Sequence, residues 1–399
     1  MNNNVFQHVA ESLNFMRCDF AVLGATGMQG RIVARDLLER GFSVLLCGRD
    51  RSRVERLLKR FGRAKFAYFD ARDIAQTAKV IARAKSSVVV NCVEGDWNVH
   101  ILKACMVAGA SCVDLGSDIE MTKEQLGLHS ELRRRGVVSI TGCGSVPGVG
   151  NVMLRYAVPK FDRIDSVGVG FNWDSNIKEF VVPFSIQSII EEFTSPAPVI
   201  RNGRVRRVSP METLVMASHR GVGRGYQFNV GHHPEPYTFY DFCRKKGVRN
   251  VEFFAGFPEH SFRAIQSMID FGWGDKVPVM IGGVKVRPVD VLTETLKRIG
   301  MPKGYTEKEN LWVTLVGKQG GRKKEMLMEC IVPTLKGWED AGCNVDTGIP
   351  ASIIAQYVRD GVIEQKGSFA PEQVVPPEKF FVDLKRRQMR VYENGKLIN

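Results

Sequence analysis

The chain has 399 residues, 44% hydrophobic and 25% charged, a balance that excludes a disordered protein, at a length that points to two domains. Lys and Arg outnumber Asp and Glu by 56 to 43, a formal net charge of +13; the basic residues are spread out with no interleaved aromatic platform, so nucleic acid is not an expected partner. Nine singly placed cysteines argue against a disulfide scaffold and a zinc site, and no apolar run reaches the ~18 residues of a membrane span.

Residues 1–17 read as an N-terminal extension, with Met16 an alternative start. They lack the basic-then-apolar pattern of a secretory leader, so a cytoplasmic protein is expected. From residue 18 to 144, short apolar runs alternate with helical stretches. Phe20–Leu23, Val44–Cys47, Lys65–Phe69, Val88–Asn91, Cys112–Asp114 and Val137–Ile140 read as strands; helices are expected from near Met28, Ser52, Ile74, Trp97 and Thr122. Continuous apolar strands separated by helices predict an α/β, doubly wound parallel sheet of Rossmann type. Four glycines and a proline within residues 142–151 mark a sharp loop. From 145 to 344 a second α+β domain is expected, with strands at Ile164–Phe171, Val279–Val286, Leu311–Gly317 and Glu325–Val332, read as antiparallel. Residues 345–399 are expected to return to the first domain, with a helix at Ser352–Arg359 and a basic surface element at Val382–Ile398.

The sharpest chemical signal is Gly24-Ala25-Thr26-Gly27-Met28-Gln29-Gly30, set between a strand and a helix. Gly24 permits a tight turn, Gly27 lets backbone approach a pyrophosphate, and Gly30 lets helix pack on strand. The pyrophosphate then meets the helix N-terminus, where free N–H groups and the macrodipole favour an anion. The second strand ends in Gly48-Arg49, where an NAD site usually carries an acid. A glycine leaves room for a 2′-phosphate and an arginine pairs with it, so NADP(H) is favoured and NAD(H) is the alternative. Arg51 and Arg53 are further candidates; Asp50 comes late and reads equally as a helix cap. Asp70 has two readings, an adenine contact or a cap for the next helix. Asn91, Cys92 and Val93 end the fourth strand, and they read either as cofactor contacts or as strand-end packing.

These residues resemble the saccharopine dehydrogenase-like oxidoreductases, a family that includes saccharopine reductase, lysine 6-dehydrogenase and carboxynorspermidine synthase. The resemblance runs from about Phe20 to the C-terminus. Gly24–Gly30, Asn91–Val93, Val107–Asp114, the Gly142–Asn151 loop and Thr347-Gly348-Ile349-Pro350 carry it. Gly231-His232-His233-Pro234-Glu235 looks like the His-Ser-Glu element of some members, with Pro234 where a serine stands. The resemblance implies a Rossmann domain, an inserted domain for substrate binding and dimerisation, and hydride transfer between a nicotinamide and a C–N bond of an amino-acid-like substrate. The enzyme alternative is an NAD-linked lysine 6-dehydrogenase-like protein; the nonenzymatic alternative is an NADP(H)-binding regulator.

His233, Glu235 and Asp114 are the catalytic candidates. A histidine titrates near neutrality and a neighbouring carboxylate adjusts it, whereas Asp114 either orients a substrate amine or caps the turn at Gly116–Ser117. Ser145, Pro147 and Gly148 are expected to shape the substrate floor between the domains or to act as a plain hinge. Arg220 and Arg224 are candidate carboxylate anchors, and Thr347 a cap for a helix at Ala351 or a ligand contact. His219 is a weaker acid/base candidate, and no metal is expected. The expected partners are a small carboxylate-bearing substrate and a second copy of the chain, without nucleic acid or membrane.

Overall fold

A computed structural model describes residues 18–399 apart from Glu94, Pro183, Phe184 and Met301. The expected extension at 1–17 therefore lies outside the described residues. The chain divides into two compact units, the first built mainly from residues up to 144 together with 347–370, the second from 145–346 and 371–399.

In the first unit β1 (Phe20–Leu23), α1 (Met28–Glu39), β2 (Val44–Gly48), α2 (Glu55–Arg60), β3 (Ala64–Tyr68), α3 (Ile74–Ala84), β4 (Val88–Asn91), α4 (Asn98–Ala108), β5 (Ser111–Asp114), α5 (Ile119–Gly127), α6 (His129–Arg134) and β6 (Val138–Ile140) alternate as the apolar runs predict. The sheet is parallel, in the order β3-β2-β1-β4-β5-β6, and a seventh strand at Gly367–Phe369 pairs with β6. Strands β1 and β4 are wholly buried, because both faces are covered. The chain winds from β1 toward β3 in one direction and from β4 toward β6 in the other. The topological switch point, where doubly wound sheets bind ligands, thus falls between β1 and β4.

The second unit begins at α7 (Val149–Ala157), followed by β7 (Arg163–Ser175), α8 (Ile186–Thr194), β8 (Ala197–Arg201), β9 (Arg204–Val208), β10 (Val215–His219), β11 (Gly223–Asn229), α9 (Glu235–Cys243), β12 (Asn250–Phe257) and α10 (Glu259–Asp270). After them come β13 (Val279–Ile281), β14 (Val284–Val286), α11 (Pro288–Leu296), β15 (Glu307–Gln319) and β16 (Arg322–Pro333). The long helix α12 (Val345–Arg359) and β17 (Gly367–Phe369) lead to α13 (Pro371–Val374), α14 (Pro377–Lys385), β18 (Arg390–Glu393) and β19 (Lys396–Leu397).

Most of this unit's strands form one ten-stranded sheet. It is mixed, not antiparallel as expected: β12 runs parallel to β7, because the long excursion through α8, four strands and α9 brings the chain back in its original direction. Phe193, Phe228, Phe257 and Phe262 interlock on it, with Phe193 and Phe228 ring centroids 4.8 Å apart. The single strand expected at Val279–Val286 is a hairpin, since Gly282 and Gly283 both adopt positive φ (57° and 85°) and turn the chain back. The tail also departs from expectation. Only 347–370 join the first unit, whereas Phe380, Leu384, Met389 and Val391 are buried in the second and β18 pairs with β16. Its basic residues alternate with core positions, which composition alone conceals.

Candidate active site

At the switch point of the first unit, Gly24 leaves β1 with φ +77°, and a Cβ there would lie 2.7 Å from the Cys92 carbonyl oxygen beyond β4. A Cβ on Gly30 would lie 2.2 Å from the Gly24 carbonyl oxygen. The turn therefore admits no side chain at either place. Gly27 is the N-cap of α1; among the described residues no side chain caps the first turn, and the turn holds no acid, which suits an anion at its N–H groups. Thr26 packs over Gly48 at the end of β2, and Met28 is exposed beside the turn. The arrangement fits a dinucleotide pyrophosphate.

Around this cradle the sequence candidates separate. Arg49 is exposed at the end of β2. Asp50 accepts from the Ser52 N–H at 2.9 Å and hydroxyl at 2.6 Å, so its carboxylate caps the Arg51–Val54 turn. Asp70 is drawn to Arg72, whose hydrogen bonds hold its pKa down to about 2. The cap of α3 is Asp73, not Asp70, because only Asp73 reaches the Gln76 N–H, at 2.9 Å. Asn91 bonds the Asn98 side chain at 2.7 Å and receives the Val93 N–H at 3.1 Å, which shapes the backbone of Cys92 and Val93.

Asp114 is fully buried, and both its carboxylate oxygens accept hydrogen bonds. Gly116 N, Gly142 N and Thr141 Oγ1 donate to one carboxylate oxygen, and Gln125 Nε2 to the other at 2.6 Å. Burial raises its pKa against these donors. It ties the ends of β5 and β6 together, which is the turn-capping reading.

Thr347 lies in the first turn of α12, which starts at Val345, two residues before it, so Thr347 is not the N-cap of a helix at Ala351. Gly348 packs against Ile32 of α1, where a Cβ would lie 2.5 Å from that side chain, and Ser352 donates to buried Asp36 at 2.6 Å. The Thr-Gly-x-Pro segment thus braces the helix that carries the cradle.

The second unit brings the acid/base candidates His233 and Glu235 together. His233 follows the turn at His232 (φ 48°), stacks on Phe253 with centroids 3.7 Å apart, and sets Nδ1 3.4 Å from Glu235 Oε2. Glu235, in the first turn of α9 after Pro234, is fully buried, while 12% of the His233 side chain remains exposed. A carboxyl that sequence reasoning missed, Glu372, completes the group. It is buried in α13 and accepts from Asn151 Nδ2 at 2.7 Å; Asn151 Oδ1 in turn accepts the Gly148 N–H at 2.7 Å. Burial first, then the Glu235 carboxyl, raise the Glu372 pKa to about 7, against lowering by Asn151 and Thr238. The second unit therefore links Gly148 of the predicted loop through Asn151 to Glu372, and Glu372 to Glu235 and His233. Nothing local in Pro371-Glu372 announces this, since Glu372 and Asn151 are 221 positions apart.

Of the other candidates, Ser145 accepts the Gly150 N–H through its carbonyl and Pro147 is buried beside it. Arg220 does not stand ready for a carboxylate ligand. It pairs with buried Glu329 at 3.2 Å and lies over the Tyr392 ring. His219 bonds Gln227 at 2.8 Å and stacks on Trp312, and burial lowers its pKa. Arg224 is exposed on β11. Among the described residues no group of three or more His, Cys, Asp or Glu is placed to hold a metal ion, and no helix is long and apolar enough to cross a membrane.

The saccharopine dehydrogenase NADP binding domain matches residues 20–140, and the saccharopine dehydrogenase C-terminal domain matches 143–389. The carboxynorspermidine synthase of Vibrio alginolyticus is 24% identical over 324 residues, 77% of each chain. The carboxyaminopropylagmatine dehydrogenase of Synechocystis is 22% identical, covering 89% of this chain and 92% of its own. Among solved structures, apo saccharopine dehydrogenase (L-Glu forming) from Saccharomyces cerevisiae superposes with a TM-score of 0.75 over 95% of this chain and 99% of the other, at 14% identity, and shares the fold.

Proposed function

The chain belongs to the saccharopine dehydrogenase family, and from that premise we propose that it is an NADP(H)-dependent oxidoreductase acting on the C–N bond of an amino-acid-derived substrate, by amine oxidation or imine reduction. The observation that carries the reading is the uncapped N-terminus of α1 behind a turn that excludes side chains, at the switch point of a parallel sheet. The use of Asp50 as a cap, with Arg49 exposed at the end of β2, supports the phosphorylated cofactor. When bound, the nicotinamide supplies or accepts the hydride. His233, backed by the fully buried Glu235, is the group we assign to moving the proton that a C–N bond gains or loses. Glu372 and Asn151 position that pair, and Arg224 is the remaining anchor for a substrate carboxylate. The relatives' names, a carboxynorspermidine synthase and a carboxyaminopropylagmatine dehydrogenase, support an amine-bearing substrate with a carboxyl group. We extend the proposal to a homodimer.

Fluorescence titration of the protein with NADPH and NADH, beside Arg49→Ala, tests the cofactor. NADPH is expected to bind more tightly, and the variant to lose roughly tenfold of that advantage, as removal of one charge-assisted phosphate contact does. Equal affinities in the native protein would move the assignment to NAD(H), and binding of neither would overturn the enzymatic reading.

A further inference from the structure

The hairpin of β8 and β9 carries a charge pattern that the chemistry above leaves unused. Arg204, Arg206 and Arg207 lie on β9, Arg201 ends β8, and Arg249 directly precedes β12. With Asn202 and Val208, these five arginines line a recess of about 640 Å³ on the second unit. Among the described residues no acid and no aromatic side chain lines it, and every cation in it is an arginine.

The recess is built on a braced turn. Asn202 and Gly203 both take positive φ (52° and 74°), which closes the two-residue hairpin loop. The Gly203 N–H donates to the Arg249 carbonyl at 2.8 Å, and the Asn202 N–H to the Asn250 side chain at 3.0 Å. These bonds tie the hairpin to the segment that carries Arg249, so cations from two stretches of chain are held together. Register sets Arg204 directly opposite Arg201, an unfavourable placement for like charges. Glu252 neutralises Arg201 at 2.8 Å. Arg204, Arg206, Arg207 and Arg249 are exposed, and none of their side chains has an ion pair or hydrogen bond among the described residues.

Four unpaired guanidiniums around one recess repel one another, and a multiply charged anion that enters relieves this. Protection of a sheet edge accounts for charge on β9, but it requires neither arginine over lysine nor Arg249 from another segment. A guanidinium presents a planar fork that pairs with phosphate through two parallel hydrogen bonds. A phosphate group carries a charge of about −1.5 to −2 near neutrality, so two or three in one molecule balance four arginines. The lining offers no ring on which a base could stack, which disfavours single-stranded nucleic acid. A recess of this size encloses a compact solute, whereas a duplex or a bilayer presents a broad phosphate surface.

We propose that Arg204, Arg206, Arg207 and Arg249 form a binding site for a compact anion with two or more phosphate groups. The site is made from residues of the second unit alone, whereas the glycine cradle belongs to the first. It therefore does not rest on the oxidoreductase reading.

The test is calorimetric titration of the full-length protein with inorganic tripolyphosphate at fixed ionic strength, with and without saturating NADPH to occupy the cradle. Orthophosphate and citrate serve as anions of lower charge and of different chemistry. Tripolyphosphate is expected to bind at one equivalent with NADPH present, and each control at least about tenfold more weakly. Arg206→Gln and Arg249→Gln are each expected to weaken it about tenfold, as loss of one charge-assisted contact does, while leaving NADPH affinity unchanged. Arg322→Gln, which removes the same charge from an exposed position on β16, is expected to leave it unchanged. Absence of tripolyphosphate binding overturns the site. So does an equal loss in Arg322→Gln, which would reduce the effect to overall charge, or a loss of binding once NADPH fills the cradle. Tighter, Arg206-dependent binding of duplex DNA or of phosphatidylserine vesicles would also overturn it, in favour of a broad phosphate surface. Binding that depends on Arg206 in a protein blind to both nucleotides supports the site and removes only the oxidoreductase reading.

Discussion

Glu372 holds its proton to about pH 7 because it is buried beside a second carboxyl, and this makes its contribution to stability depend on pH. Its folded pKa lies above the ordinary glutamate value near 4.5, so its contribution is fully present below that value and is lost as pH rises through 7. Glu372→Gln removes the titration. The fall in unfolding free energy between pH 5 and pH 8 is expected to shrink by about 3 kcal/mol, read from urea denaturation at the two pH values. An unchanged fall would place the proton on another group. At this scale, legibility followed chain distance. His233 and Glu235 are two positions apart and were found together, whereas Glu372 and Asn151 meet only in the fold. Asp114 shows the converse. A carboxylate at the end of a strand in a ligand-binding sheet reads as functional, but its four donors come from residues at 116, 125, 141 and 142 that no local pattern connects.

The elements of the first unit follow their patterns closely because strands buried on both faces leave long apolar runs, and helices between them keep one polar side. Helix α12 is the exception, entering from Gly342–Asn344 and carrying Pro350 inside it, so the glycine and proline that suggested a cap instead lie within the helix. Its packing gives a direct prediction. Ser352→Ala takes the 2.6 Å hydroxyl donor from Asp36, which is 2% exposed, and is expected to destabilise the protein by about 1–3 kcal/mol in chemical denaturation, with weaker NADPH binding because α1 carries the cradle. Full retention of both would show that the bond adds nothing to bracing α1. The arginines of β9 also acquire an element-scale reason. Among the described residues this strand pairs with β8 alone, and Arg204, Arg206 and Arg207 are exposed along it, a charged edge that discourages further strand pairing.

Across the molecule, exposed apolar side chains concentrate between residues 271 and 299. Phe271 is 80% exposed, and Val277, Met280, Ile281 and Val284 lie out on or beside the β13–β14 hairpin. Apolar surface of this kind marks an association site, and it suits the second copy we propose. Met280→Asp with Ile281→Asp is expected to convert a dimer to a monomer in sedimentation equilibrium while the pair of units keeps its fold by circular dichroism; an unaltered mass would move the interface elsewhere. The sequence by itself determined the parallel first sheet, the glycine cradle and the family, because each is written in residues close together whose spacing has one geometric meaning. Tertiary structure alone decided that Asp114 gathers four donors, that Arg220 is paired, that the second sheet is mixed and that Glu372 lies beside a second carboxyl. Those outcomes depend on burial and on neighbours from remote segments, and both come into being only when the chain has closed on itself.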